Sequence, residues 1–498
     1  MKKFFYLLFS AIFLVFCTFS LTGCKKDELK KVSKNLTSYA ISAKLDDEKK
    51  EISGTETIVF YNSTGEELDN VCLHLYPRAF RENATIKPYT KLTLATCFPS
   101  GVSYGDISII DVKVNGEIKK HELTGEDEDI LKINFGFKLS NKKSIEIVIN
   151  FIITIPSSTH RFGFYDGNIN LGNWYPIICK YSSDGFDFSP YYATGDPFFS
   201  DIANYNVKFE FPEKYKYTST GEFSSSKSDG TIKVEAKALA VRDFAICLSE
   251  KSDIISTKVG KTTINYMGYT KDTEKEKYLA ISKDAIEYFS KTFGEYPYSS
   301  MTVVKTPFIY GGMEYPNLVM ISDSIDDEDE FLKVIVHEIA HQWWYGIVGN
   351  NEVSEAWLDE SLSEYSTAMF FGKYNKYNIS YDDFVSNALS SYMLYVDVIS
   401  TIRGDVITKM NLPVNEYQND YEYSYMVYVK GVIMFDSLKS MVGEKKLVAG
   451  FKRYYENNKF KVASKDDFYK AFSEACHKDL NNFFEGFLNG TTIISNIS

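Results

Sequence analysis

The sequence predicts a multidomain α+β protein with a β-rich first half and a mixed, increasingly helical second half. Three observations carry that expectation. From about Leu36 to Glu250 apolar and polar residues alternate with period two, the pattern of strands with one buried face. After Glu250 the apolar residues recur at spacings of three and four, the period of a helix with one face in the core. Finally, 498 residues, 44% of them apolar, exceed what one compact core holds, so two or three domains are expected. A net charge of −12 argues against nucleic acid as a partner and is ordinary for an enzyme.

The N-terminus reads as a targeting segment rather than fold. Lys2 and Lys3 precede an apolar run from Phe4 to Ser20, and Leu21-Thr22-Gly23-Cys24 places small residues before a cysteine. Residues 1–23 have the form of a secretory signal peptide, and the last four positions resemble the bacterial lipobox. That resemblance implies a lipid on Cys24 and a protein held at the extracytoplasmic face of a bacterial membrane. The alternative is an uncleaved anchor, because about 18 to 20 apolar residues suffice to span a bilayer. Residues 24–35 then form a basic tether, with Lys25, Lys26, Lys30, Lys31 and Lys34. Cys17 falls within the signal. Cys72, Cys97, Cys179, Cys247 and Cys476 are too scattered for a disulfide framework and suit small buried hydrophobes.

Residues 36–250 are expected to form the β-rich N-terminal domain. Glu56–Tyr61, Ser144–Phe151 and Tyr205–Phe211 read as strands, separated by turn signals such as Asn62-Ser63-Thr64-Gly65 and Ser228-Asp229-Gly230. Asn173-Trp174-Tyr175-Pro176 is an aromatic cluster that either contacts a ligand or fills the core. Residues 251–442 change character: a helix over 271–293, a strand over 301–305, then mostly helices. Helical patterns recur near 381–395 and 424–442, then at 444–458, 465–476 and 480–488, so that 443–498 reads as a C-terminal helical segment.

The chemistry concentrates at Val334–Trp344. His337, Glu338 and His341 stand in H-E-x-x-H order on a segment with helical periodicity. Positions four apart lie on one helix face, so both imidazoles can reach one ion. Glu338 projects beside them without needing to bind, the arrangement of a zinc hydrolase. With six histidines, chance alone produces such a motif in on the order of one chain of this kind in two hundred, so it needs support. The competing reading is a buried helix with two core histidines. The acidic run Asp326–Glu330 lacks the glycine and spacing of a calcium loop and suits a helix N-terminus. A third ligand is required, and Asn351–Glu360 offers Glu352, Glu355 and Glu360. With Ser354 as N-cap, Glu360 lies more than a turn into a helix reaching Phe371, and is the best fixed of the three.

At these residues the chain resembles the aminopeptidase N family of zinc metallopeptidases, the gluzincin aminopeptidases. His337-Glu338-x-x-His341 with eighteen residues before Glu360 matches the family's zinc signature. Gly311-Gly312-Met313-Glu314-Tyr315-Pro316 stands where the family has G-x-M-E-N, and Tyr428-Val429-Lys430-Gly431 matches its Y-x-K-G element. The resemblance runs from about residue 35 to 490 and is strongest between 300 and 435. It implies a saddle-like N-terminal sheet domain, a thermolysin-like catalytic domain ending in helices, and one zinc per chain. It implies His337, His341 and Glu360 as ligands, Glu338 as general base and Tyr428 as oxyanion donor. Glu314 would pair with the free α-ammonium of a peptide, with Gly311 and Gly312 admitting the substrate backbone. The large helical superdomain of long family members is expected to be absent or much reduced.

Three positions depart from the family pattern. Tyr315 replaces Asn, and Asp359 and Ser361 replace the Asn and Gly around the third ligand. No counterpart of the polar residue that the family's N-terminal domain brings to the amine is evident. Glu364, four after Glu360, either accepts an N–H from a ligating histidine or is a plain surface glutamate. The expected function is a lipid-anchored, extracytoplasmic zinc aminopeptidase acting on peptides with free N-termini. The alternatives are a zinc endopeptidase using the same centre, an inactive peptide-binding lipoprotein, and a structural surface protein.

Overall fold

A computed structural model describes residues 26–494 of the chain. The signal segment, Cys24 and Lys25 lie outside the described residues. Helix α1 (Lys26–Val32) and a 3-10 turn (Ser33–Asn35) occupy most of what the sequence suggests as a tether. They dock on the body: Leu29 and Val32 pack against the core, and Glu28 pairs with Lys459 at 2.9 Å.

The N-terminal half is built on an eight-stranded sheet. Its strands are β1 (Ser38–Asp46), β2 (Glu51–Tyr61), β3 (Asp106–Val114), β4 (Glu117–Ile118), β5 (Ser144–Thr154), β6 (Ala203–Pro212), β7 (Glu222–Ser228) and β8 (Thr231–Val241). They lie in the order β7-β8-β6-β1-β2-β5-β3-β4, antiparallel except for β1 with β6. Alternation places Ile41, Ala43 and Leu45 of β1 and Val207 and Phe209 of β6 on the buried face. Two four-stranded sheets complete this half. The one containing Phe162–Tyr165 and Asn168–Leu171 leads the chain toward the second half. Trp174 and Tyr175 belong to the core here; the Tyr175 hydroxyl donates to Asp243 at 2.9 Å. Of the two readings of that aromatic cluster, the structure supports packing.

The second half starts with a mixed five-stranded sheet: β9 (Ser252–Val259), β10 (Thr262–Tyr269), β11 (Ser300–Thr306), β12 (Gly312–Met313) and β13 (Leu318–Ser322), ordered β9-β10-β11-β13-β12. β10, β11 and β13 run parallel, and β13 is buried along its whole length. A continuous apolar run such as Leu318–Ile321 is what a strand covered on both faces requires. Helix α2 (Lys275–Thr292) packs against the sheet and against α3 (Glu328–Ala340). Asp327 caps α3 by accepting from the Glu330 N–H at 2.8 Å, so the acidic run is a helix start. Then follow α4 (Trp357–Lys373), α5 (Tyr381–Arg403), α6 (Asp420–Ser424), α7 (Lys430–Val442), α8 (Glu444–Asn458), α9 (Lys465–Cys476) and α10 (Asn481–Leu488). One apolar core runs from Tyr39 to Leu488 through both halves.

Two local expectations are corrected. Helix α4 begins at Trp357, not after Ser354, because the Asn351 side chain takes the N–H groups of Val353 and Ser354 and holds a turn there. Glu360 therefore sits in the first turn of α4 rather than beyond it. The 424–442 segment is helical as expected but not regularly α: a π-helical turn, Tyr425–Val429, is inserted between α6 and α7. Such insertions rotate side chains off the regular register and recur at functional sites.

Candidate metal centre and active site

Both histidines come from the last turn of α3, four residues apart on the face turned toward α4. Their outer nitrogens are engaged. His337 Nδ1 lies 2.7 Å from Glu364 Oε2, and His341 Nδ1 lies 3.0 Å from the Trp344 carbonyl. Carboxylate and carbonyl can only accept, so both Nδ1 atoms carry hydrogen and both Nε2 atoms present a lone pair inward. The two Nε2 atoms are 3.0 Å apart, and each is 3.1 Å from Glu360 Oε2.

Three acceptor-type atoms facing one another at that spacing fit one ion. Tetrahedral bonds of about 2.0–2.1 Å set ligand atoms roughly 3.3 Å apart, close to the observed triangle. The donor set of two imidazoles and one carboxylate is that of a catalytic zinc with its fourth position open. Glu364 is thus the carboxylate behind His337, which decides between its two readings on geometry. Replacing it with Ala is expected to weaken zinc binding about 10- to 100-fold, measured by chelator competition. An unchanged affinity would remove the role.

Glu338 stands beside the triangle without joining it. It is buried, its Oε2 has no protein partner, and its Oε1 lies against Gly312. A Cβ on Gly312 would sit 2.3 Å from that oxygen, so glycine here makes room for the carboxylate. Gly311 carries no such constraint; a Cβ there would meet nothing closer than Val334 at 3.7 Å. Glu314 follows on the same edge, 3% exposed, with Oε1 unpartnered. Tyr315, the departure next to it, is fully buried and donates to Asn173 Oδ1 at 2.6 Å, tying this edge to the N-terminal half.

Tyr428 arrives from the π-helical turn. Its ring stacks on His337 with centroids 5.6 Å apart. Tyr423 meets Tyr428 edge-on and also faces the cavity, its hydroxyl unpartnered, whereas Tyr425 stacks on Tyr395 instead. The neighbours of Tyr428 explain two motif positions. Lys430 is buried and donates to the carbonyls of Thr408 and Phe487, at 2.5 and 2.8 Å, anchoring α7 to the C-terminal helix. Ser361, the family glycine's replacement, donates to the Val427 carbonyl at 2.5 Å and so ties the π turn to the ligand helix. Gly431 allows the contact: a Cβ there would lie 2.4 Å from Ser361 Oγ. Gly431→Ala is expected to destabilise the fold by about 1–3 kcal/mol through overpacking, read from the denaturant midpoint.

The ligand triangle, Glu338, Glu364, Gly311, Gly312, Glu314, Tyr423 and Tyr428 line one cavity of about 620 Å³. Two of its walls were not legible in the sequence. Arg161 and Asp196, from the N-terminal half, form a buried ion pair there, and Arg161 also lies over the Tyr310 ring at 4.9 Å. Asp196 is the N-terminal domain's polar contribution to the site. It lies far from every motif in the chain and belongs to no periodic pattern, so only the tertiary packing reveals it. The other candidate ligands stand elsewhere: Glu355 is only half-buried, and Glu352 is buried beside Asp359 and Glu314, away from the histidines.

Comparison with known proteins agrees with this geometry. Residues 278–487 match the family described as "Peptidase family M1 domain". Human aminopeptidase B is 26% identical over 233 residues, covering 45% of this chain and 35% of that protein. Aminopeptidase N of Lactobacillus helveticus is 26% identical over 232 residues, covering 44% of this chain and 27% of the relative. The chain thus spans about a third of the length of these curated relatives. A crystal structure of a mutant M1 zinc metallopeptidase from Deinococcus radiodurans superposes with a TM-score of 0.66 at 13% identity, covering 92% of this chain and 95% of that one. The same enzyme bound to a Tyr-Ser-Ala substrate gives 0.64. Signature, ligand triangle and family match coincide on the same residues, so residues 278–487 carry a peptidase family M1 domain resembling that of aminopeptidases B and N, in a chain whose fold is shared with M1 zinc metallopeptidases.

Proposed function

We propose that the protein is a zinc aminopeptidase that removes N-terminal residues from peptides, held by lipid at the extracytoplasmic face of a bacterial membrane. The observation that carries the exopeptidase reading is Glu314: a buried carboxylate with a free oxygen, in the same cavity as the metal ligands. An endopeptidase has no use for an unpaired anion there, while a free α-ammonium supplies its missing partner. Asp196 adds a second carboxylate to the same cavity. The Tyr-Ser-Ala ligand of the Deinococcus relative supports peptides as the substrate class.

A zinc ion held by His337, His341 and Glu360 supplies Lewis acidity, polarising the scissile carbonyl and bringing the pKa of water to about 7. Glu338 takes the proton of the attacking water on its free oxygen and returns it to the leaving amine. Tyr428 donates a hydrogen bond to the oxygen that gains charge, a contribution of about 3 kcal/mol. Glu314 fixes the ammonium and so sets which peptide bond reaches Glu338.

One peptide in free and N-acetylated form tests the assignment. Hydrolysis of the free peptide alone is expected; equal hydrolysis of both would assign an endopeptidase. The membrane reading rests on Lys2, Lys3, the apolar run and Cys24. Cys24→Ala is expected to move the protein from the membrane fraction to the soluble one, and unchanged partitioning would overturn lipidation.

A further inference from the structure

Behind Glu314 lie two further acidic residues that the reaction does not use, Glu352 and Asp359. Glu314 follows β12, Glu352 stands in the loop before α4, and Asp359 is in the first turn of α4. Three separate segments thus bring one carboxylate oxygen each to within 4.8 Å of the others. The side chains are almost sealed from solvent, at 3%, 1% and 1% exposure. Among the described residues, no lysine, arginine or histidine forms an ion pair with any of them. The nearby guanidiniums are engaged elsewhere: Arg161 pairs with Asp196, and Arg242 donates to the carbonyls of Tyr345, Ser200 and Lys461.

Asp359 has a partial answer to its burial, accepting the Glu360 N–H at 3.0 Å. Glu352 has none. Both of its carboxylate oxygens are buried and unpartnered, as is Oε1 of Glu314. A buried carboxylate without a donor either takes up a proton or is satisfied by a cation, and three carboxyl groups gathered at one place favour the cation. Among the described residues no uncharged donor reaches Glu352 either, and like charges at this separation oppose one another.

We propose that Glu314, Glu352 and Asp359 hold a second cation, a hard divalent ion of the calcium kind, behind the zinc centre. The chemistry is that of oxygen ligation: three carboxylates, no sulfur and no imidazole. Oxygens within 4.8 Å of one another are compatible with one ion at calcium–oxygen bonds of about 2.3–2.6 Å. Glu314 belongs both to this group and to the cavity wall, so the ion fixes the carboxylate that faces the substrate amine. The group shares no ligand with the zinc triangle but adjoins it, since Glu314 also lies within 4.8 Å of Glu338 and His341.

The test uses the full-length zinc-loaded protein, metal analysis after dialysis into calcium-containing buffer, and melting curves in the presence of Ca2+, Mg2+ or Mn2+. Wild type is expected to carry one zinc and one further divalent ion per chain, with Tm rising by several degrees as Ca2+ passes through millimolar concentration. Glu352→Gln keeps the shape of the side chain and removes its charge. It is expected to retain zinc while losing the second ion and most of the Tm response. A wild type holding zinc alone, with a Tm indifferent to all three cations, would overturn the proposal. So would a Glu352→Gln protein that responds as wild type does. Should that variant fail to fold, the wild-type titration decides by itself. Loss of zinc from the wild type would instead count against the ligand triangle, so the two readings fail separately.

Discussion

Glu338→Ala is expected to lower turnover by about 100- to 10,000-fold while zinc stays near one per chain. The geometry requires both outcomes. Glu338 lies beside the ligand triangle and contributes no atom to it, so the histidines and Glu360 bind as before. Its Oε2 is buried and unpartnered beside the triangle, neither a ligand nor paired with a ligating imidazole. Removing it therefore deletes the proton acceptor and leaves the metal site intact. Turnover of aminoacyl amides, read together with metal analysis, checks the result. Loss of zinc in the mutant would make Glu338 part of the metal site, and full activity would move the base elsewhere.

Glu314→Gln is the second large effect. An ammonium facing a buried carboxylate is a desolvated charge pair, and truncating one side of such a pair costs about 2–5 kcal/mol. That corresponds to roughly one and a half to three and a half orders of magnitude in kcat/KM for free-amine substrates. The N-acetylated peptide never engages the carboxylate, so its slow background hydrolysis is expected to be unchanged or to rise. The ratio of the two rates therefore collapses. A mutant that keeps the full preference for the free amine would show that Glu314 is not the anchor, and Asp196 would be the next residue to replace.

Several features of this protein were readable from local pattern. The alternation of β1, β5 and β6 and the apolar run of β13 specify strands because side-chain direction has period two. His337 and His341 face one ion because four residues make about one helical turn. The same reasoning misplaced the start of α4. Asn351 captured the backbone N–H groups that Ser354 was expected to serve, a competition between two good turn formers that composition does not rank. It also missed the π-helical turn, because one extra residue in a helix leaves hydrophobic spacing almost unchanged while rotating Tyr428.

The departures from the family motif show the same division. Tyr315 and Ser361 look like losses in the sequence, yet each has acquired a partner: Asn173 from the N-terminal half and the Val427 carbonyl from the π turn. Neither partner is within reach of any local rule.

Spacing along one or two segments is enough to predict the strands, the helix bearing the two histidines, the zinc ligands proposed for it and the family resemblance. Packing alone establishes that Glu364 backs His337, that Arg161 and Asp196 wall the cavity, and that Glu352 joins Glu314 and Asp359 in a buried acidic group. A side chain's partner across the fold is set by how distant segments pack, and the energy of a buried charge depends on that partner rather than on its neighbours in the chain.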